Sequence, residues 1–454
     1  MSQPDDGRTG RRERRSPNRR VDINILFLTQ LLPYPLDSGG KIKSYHFLQA
    51  LAEKHTVTLV SFVRSREEAE YAKELAQFCD RIETCVLKRS SLRDIACFLK
   101  SRMTRQSFIM IRDRSTEFES RLRDLLRERR YDVIHTVRLN MFQYVPAQGS
   151  SCTTVLDTEN VESLVLRRMF QSDPLSIRGL LSLLESKRLA DYERAACSRA
   201  DFVLTVTDED KSALTRLVAN SAGKTPAPRI ETIPIGVDTN YFTPSWRMPA
   251  EPRSLFVGTM YWPPNVDSVI HFCKDILPIA QSEIPELRLD IVGLRPTRSV
   301  LNLEGSVPGV HVVGSVPDVR PYMAGSRVFV VPLRAGSGMR VKILNAMAVG
   351  IPVVTTSIGC EGIDGLVQVK EPLADHDNRD ANIWIANSPS EFARAVVTLI
   401  TNDEIARTLA RNGRALMETV YDWSIIRNRI LDLYDRIEQE IPTGHMTRLP
   451  ADCT

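Results

Sequence analysis

Residues 328–356 read VFVVPLRAGSGMRVKILNAMAVGIPVVTT. Val328–Leu333 is a short apolar, β-branched run of the kind that forms a strand. Gly336, Ser337 and Gly338 then break the pattern, and Met339–Val349 places apolar residues at helical spacing. Pro352–Thr356 is apolar and β-branched again. Strand, glycine loop, helix and strand in that order form the repeating unit of a parallel sheet. Strands that are apolar without alternation are buried on both faces, so helices must cover both sides.

The same alternation extends in both directions. Upstream lie strands at Leu255–Gly258, Leu287–Gly293 and Val310–Gly314, a helix near 265–280 and a short helix from Asp318. Downstream lie helices at Pro389–Thr401, Asp403–Val420 and Trp423–Glu440. The proline-rich polar stretch Pro244–Pro252 reads as a linker. Before it, a first series opens with a strand over Val21–Thr29, a Pro/Gly loop and a helix carrying Phe47, Leu48 and Leu51. Strands at Thr56–Val63, 82–87, Asp132–Thr136, Thr153–Asp157 and Asp201–Val206 follow, with helices near 66–78 and 160–199. The expected class is α/β, with two Rossmann-like domains at 21–245 and 246–422 facing each other across a cleft. Residues 423–454 are expected to hold a terminal helix and tail.

Composition narrows the function. The chain has 454 residues, 43% hydrophobic and 26% charged, which is ordinary for a soluble globular protein. Its net charge of +4 resides in residues 1–20, where seven arginines meet three acids in a stretch expected to be disordered. The remaining residues balance to zero, which argues against a nucleic-acid-binding face. The eight cysteines form no C-x-x-C pair and no zinc-finger spacing, so buried reduced thiols are expected. No run of 18 apolar residues is present, and the apolar stretch after Arg11–Arg15 is too short for an export signal.

Two glycine loops can bind anions. Asp37-Ser38-Gly39-Gly40-Lys41 lies between the first strand and first helix, where adjacent glycines let backbone N–H groups approach a phosphate. On pattern alone, a plain strand-to-helix turn fits equally well. The second loop, Arg334–Lys342, precedes a helix whose start offers unpaired N–H groups and partial positive charge. Arg340 and Lys342 add cations there, against the helix dipole, a conflict that a bound anion would offset.

Taken together, these segments resemble a family 4 glycosyltransferase of the GT-B fold, a retaining enzyme with a nucleotide-sugar donor. The resemblance rests on PYPLDSGGKIKSYHFLQALA (33–52), TVLDTENVESLVLRRM (154–169), IPIGVDTNYFTP (233–244), LFVGTMYWPPNVDSV (255–269) and GSGMRVKILNAMAVGIPVVTTSIGCEG (336–362), among others. It runs from about residue 23 to 438. It implies that Gly39 and Gly40 approach the donor diphosphate and sugar. It assigns Gly258, Ser337, Gly338, Arg340, Lys342 and Asn345 to the donor side, and Glu159 to a slot that often holds a sugar-positioning histidine. It further implies a final helix that crosses back to the first domain.

Three departures from the family stand out. Ser337 and Asn345 occupy slots where two glutamates are common. An amide at Asn345 can hydrogen-bond a ribose hydroxyl, but without charge assistance. TMYWPPN replaces a common arginine and lysine after the strand LFVG, so the diphosphate grip is assigned to Arg340 and Lys342. His135, ending the strand DVIHT, is a further catalytic candidate, with a structural role as its alternative.

No metal or other cofactor is expected. Asp375-His376-Asp377 has D-x-D spacing but reads as loop. A UDP-sugar is the expected donor, and a glycan or lipid-linked molecule the acceptor. Residues 88–130 hold thirteen basic residues against six acids, with Leu92, Ile95, Ala96, Leu99 and Met103 at helical spacing. This basic amphipathic helix fits either an anionic membrane surface or packing against the first sheet. The expected location is cytoplasmic, with peripheral contact at the inner membrane face as an option. Two alternatives are a catalytically degenerate binding or scaffold protein of this fold, favoured by Asn345 and Glu159, and a sugar-nucleotide epimerase, against which the segment GSGMRVKILNAM argues because it resembles the transferase pattern.

Overall fold

The computed structural model describes residues 23–146, 152–172, 174, 176–219, 228–336, 338–371 and 378–441. In it the first series forms strands β1 (Asn24–Thr29), β2 (Thr56–Val63), β3 (Arg81–Val86), β4 (Val133–Val137), β5 (Thr153–Asp157), β6 (Phe202–Thr205) and β7 (Arg229–Thr232). All pair in parallel, in the order β3-β2-β1-β4-β5-β6-β7. The second series forms β8 (Arg253–Val257), β9 (Arg288–Val292), β10 (Val310–Gly314), β11 (Val328–Val331), β12 (Val353–Thr355) and β13 (Trp384–Ile385). Its order is β10-β9-β8-β11-β12-β13, again parallel. The two strands of the opening stretch, β11 and β12, are neighbours, with Phe329 opposite Val353.

Each series winds outward from its first strand and then returns to that strand's other side. The strand order therefore reverses between β1 and β4, and again between β8 and β11. Such switch points leave a crevice beyond the carboxyl ends of the strands, where ligands bind. The four central strands are mostly apolar and buried, β8 being half-buried at its two ends and β4 carrying the polar His135 and Thr136.

Helix boundaries follow local chemistry. The stretch expected as one helix over 160–199 is two, Glu162–Ser172 and Ile177–Arg199. Pro174 lies in the break, and Ser176 restarts the helix by accepting from Gly179 N–H. Residues 88–130 hold three helices, Ser91–Thr104, Phe108–Arg112 and Thr116–Glu128. Arg105 ends the first in a left-handed conformation, φ 58°, while Ser107 and Ser115 cap the next two. The helix expected near 66–78 is two single turns, Arg66–Ala69 and Ala72–Leu75.

The final helix, Trp423–Glu440, returns to the first sheet. Ile426, Ile430, Leu433, Tyr434 and Ile437 are fully buried and share a core with Phe27 and Phe47. That core continues through Ile235 to Ile343 and Leu344, so one apolar body joins the two sheets. Among the described residues, no helix is long and apolar enough to cross a membrane.

Candidate active site

The first wall of the cleft comes from the ends of β1, β4 and β5. Gly39 and Gly40 open the helix Gly39–Leu51 directly after the β1 loop. A methyl group on Gly40 would lie 1.9 Å from Glu159 Oε1, so the glycine makes room for that carboxylate. Glu159, two residues beyond β5, pairs with Arg138 at 2.6 Å. Arg138 follows β4 with φ 78°, an unusual conformation for arginine that turns its side chain toward Glu159 and Gln30. Burial works to lower the Arg138 pKa, but the Glu159 carboxylate outweighs it and the net shift is upward.

The second wall comes from β8 and β11. The loop after β11 holds Gly336 at φ 144° and Gly338 at φ 74°, both in regions that favour glycine. Ser337, expected on the donor side, lies outside the described residues, as do Asp375-His376-Asp377 and the tail 1–20. The helix after the loop starts at Val341 rather than Met339, so Arg340 is its N-cap. Arg340 Nη1 donates to Gly338 O at 2.7 Å. Lys342 Nζ donates to Asn265 Oδ1 at 2.9 Å and lies 4.3 Å from the Phe256 ring centroid. Asn345 is half-buried three residues along the same helix.

Lys342 lies close to the end of β8, after which TMYWPPN stands. Its Nζ lies 2.8 Å from where a methyl on Gly258 would be. A cation thus reaches the end of β8 from a different point in the chain. Burial pushes the Lys342 ammonium down to about 7, with the Arg340 charge acting in the same direction. Burial also lowers Arg340 to about 10, despite the opposing influence of Glu361. Glu361 is itself engaged: Arg168 forms a two-pronged pair with it at 2.6 and 2.7 Å.

Arg168 reaches from the first domain, so this pair spans the cleft, and its Nη1 also holds Gly336 O at 3.0 Å. Nearby, a methyl on Gly338 would meet Asn160 Oδ1 at 2.2 Å, and one on Gly39 would meet Val341 Cγ2 at 3.2 Å. The two walls are therefore in contact. Both Arg168 and Glu361 are partly exposed, so their coupling is modest. A double-mutant cycle with Arg168→Gln and Glu361→Gln is expected to give about 0.5–1 kcal/mol; zero coupling would show that the pair does not hold the walls together.

His135 is not a cleft residue. It is fully buried and stacks on Phe27 at 4.4 Å. Its Nδ1 lies 2.7 Å from the Tyr434 hydroxyl, and its Nε2 3.7 Å from Asp157. Burial lowers its pKa. Asp157 in turn pairs with Lys43 at 2.5 Å, in a buried chain running from the glycine-loop helix to the final helix. Arg138, Asn160, Asn265, Arg168 and Lys43 escaped the sequence reading. Position offered the available signal: the first three directly follow strand ends or their loops at a switch point.

Comparison with known proteins bears on the family and the fold. The family model "Glycosyl transferases group 1" matches residues 251–402. An uncharacterized 44.6 kDa protein in the cps region of Klebsiella pneumoniae is 21% identical over 416 residues, covering 88% of this chain and 96% of that one. A phosphatidyl-myo-inositol mannosyltransferase of Propionibacterium freudenreichii is 27% identical over 204 residues, 44% of this chain and 48% of its own. The structure of Anabaena HepE in complex with UDP and glucose superposes with a TM-score of 0.61 at 15% identity, covering 91% of this chain and all of that one. Residues 251–402 thus form a glycosyltransferase group 1 domain, and the chain is a glycosyltransferase with the two-domain GT-B architecture.

Proposed function

We propose that the enzyme is a retaining glycosyltransferase that takes its sugar from a UDP-sugar, with the diphosphate held by Arg340 and Lys342. The observation that carries this is the enclosure of two cations beside a helix start and a glycine loop. Lys342 is held by an amide oxygen, and Arg340 by a backbone carbonyl. Partly buried charge of one sign beside a helix start favours an anion. The HepE complex with UDP supports uridine diphosphate as its form.

In this reading the bond from the sugar anomeric carbon to the diphosphate oxygen breaks, and its electron pair stays on that oxygen. Arg340, Lys342 and the N–H groups near Gly338 stabilise the growing negative charge, without a metal. The acceptor hydroxyl oxygen attacks the same face of the anomeric carbon and passes its proton to the departing phosphate. Gly39, Gly40 and Gly258 let the donor approach closely. Glu159 positions a sugar hydroxyl, and Asn345 bonds the ribose. The domain boundary falls at 245/246. The acceptor is a glycan or lipid-linked molecule used for cell-surface polysaccharide or glycolipid, at the cytoplasmic face of the membrane. The names of the Klebsiella and Propionibacterium relatives support that assignment.

A degenerate binding protein is the second reading, favoured because Glu159 is already committed to Arg138. Thermal-shift titration with UDP, GDP, ADP and dTDP separates the two on wild type and Arg340→Ala. A ligand that binds only the folded protein at a hundredfold its Kd adds about 2.7 kcal/mol of stability. UDP is expected to raise the Tm of the wild type and not of the variant. No shift with any diphosphate would reject the donor site.

A further inference from the structure

Two helices of the first domain turn apolar stripes toward solvent. On Ser91–Thr104 the stripe is Leu92, Ile95, Leu99 and Met103, with Leu92 81% and Met103 86% exposed. On Ile177–Arg199 it is Ile177, Leu180, Leu181 and Leu184, with Ile177 80% exposed. An amphipathic helix of a globular domain ordinarily turns such a stripe inward. The two helices are neighbours, because Arg188 donates to Ser101 Oγ at 2.8 Å and Ser107, just beyond the first helix, donates to Glu185 at 2.6 Å. Basic residues rim them: Lys88, Arg89, Lys100, Arg102 and Arg105 are all exposed, and Asp94 is the only acid between 88 and 105.

We propose that these paired helices dock the protein onto an anionic lipid bilayer. Apolar side chains would enter the acyl boundary while the lysines and arginines meet the headgroups. The charge excludes the other occupants. A second copy would set one basic rim against another, and residues 1–20, with seven arginines, carry the same sign. The position suits a surface beside the cleft. Helix Ile177–Arg199 has 23 residues, about 34 Å, and its end feeds the four-residue strand β6. Its first half therefore overhangs the sheet on the side of the strand carboxyl ends, the side of the cleft. That docking serves a lipid-linked acceptor rests on the transferase reading above; the docking itself does not.

The test is co-sedimentation of the full chain with phosphatidylcholine vesicles, with and without phosphatidylglycerol. The wild type should bind only the anionic vesicles and be released by salt. Leu92→Ser/Met103→Ser/Ile177→Ser should weaken binding at least ~tenfold, and Lys100→Glu/Arg102→Glu/Arg105→Glu by roughly a hundredfold. Both variants should keep the wild-type Tm, since the replaced side chains are exposed. The basic tail is present in all three proteins and cannot produce these differences. Absence of wild-type binding, equal binding by the variants, or a dimer that the apolar variant dissolves would each overturn the proposal. Loss of the UDP shift in the wild type would instead reject the transferase reading and leave docking intact.

Discussion

Lys342→Met is expected to weaken UDP binding about a hundredfold or more while leaving the unliganded protein as stable as wild type, or more so. Both halves follow from one fact: Lys342 is a partly enclosed cation whose ammonium donates to an amide oxygen, that of Asn265. Enclosing an ammonium without an opposite charge costs folding energy, and methionine fills similar volume without that cost. Once a diphosphate arrives, the same ammonium becomes half of a desolvated charge pair, and such pairs are expensive to truncate. The pH dependence carries the same signature. Burial holds the folded pKa at about 7 against an ordinary 10.5, so between those values the unfolded chain binds more protons. Stability of the unliganded wild type should therefore rise with pH across that window. The variant should lack that contribution. Bound phosphate raises the pKa again, so binding takes up a proton, and UDP affinity should fall up to about tenfold per pH unit above about 7. Calorimetric titration in two buffers of different ionisation heat would detect that proton. A variant that binds UDP like wild type would remove Lys342 from the site.

Lys43→Met should produce the opposite pattern, a large loss of stability. Lys43 and Asp157 are 1% and 2% exposed and lie 2.5 Å apart. Removing one member of such a pair strands the other, at about 3–5 kcal/mol. For a domain of this size that lowers the Tm by roughly 10 °C. The sign with pH is specific. In the wild type, burial alone would raise the Asp157 pKa, but Lys43 and His135 outweigh it and hold it low. Its contribution is therefore present at neutral pH and lost in acid as the folded pKa is passed. Without Lys43, burial dominates and the carboxyl favours its protonated form. The variant's deficit should shrink as pH falls, and the two melting curves should converge. A deficit that stays constant from neutral to acid pH would mean the pair is not what the substitution disturbs.

The fold was legible because parallel strands buried on both faces appear as unbroken apolar runs, such as ILFL in β1 and VFVV in β11. That same property hid His135. Where both faces of a strand are apolar, alternation cannot say which layer a polar residue enters, and His135 enters the helical layer under Tyr434. The terminal helix Trp423–Glu440 has the bounds its apolar spacing predicts, whereas β13 is two residues long and too short for any period. Arg340, Lys342 and the glycines stood out through a local conflict of charge with helix polarity. Lys43 and Asp157 did not, being 114 residues apart, where each charge taken alone looks like an ordinary solvated side chain. Lys342 reached its position by a route no spacing could indicate, across 77 residues to Asn265.

The return of the last helix to the first sheet sets an order of events during synthesis. Tyr434 and its neighbours complete the packing around Phe27, Phe47 and His135. All strands of the second sheet lie earlier in the chain than that helix. The half of the protein translated first is therefore the half finished last. Until that helix has left the ribosome, an apolar face meant for it stays uncovered, and the nascent protein is open to misassembly while the strands of its second sheet are already made.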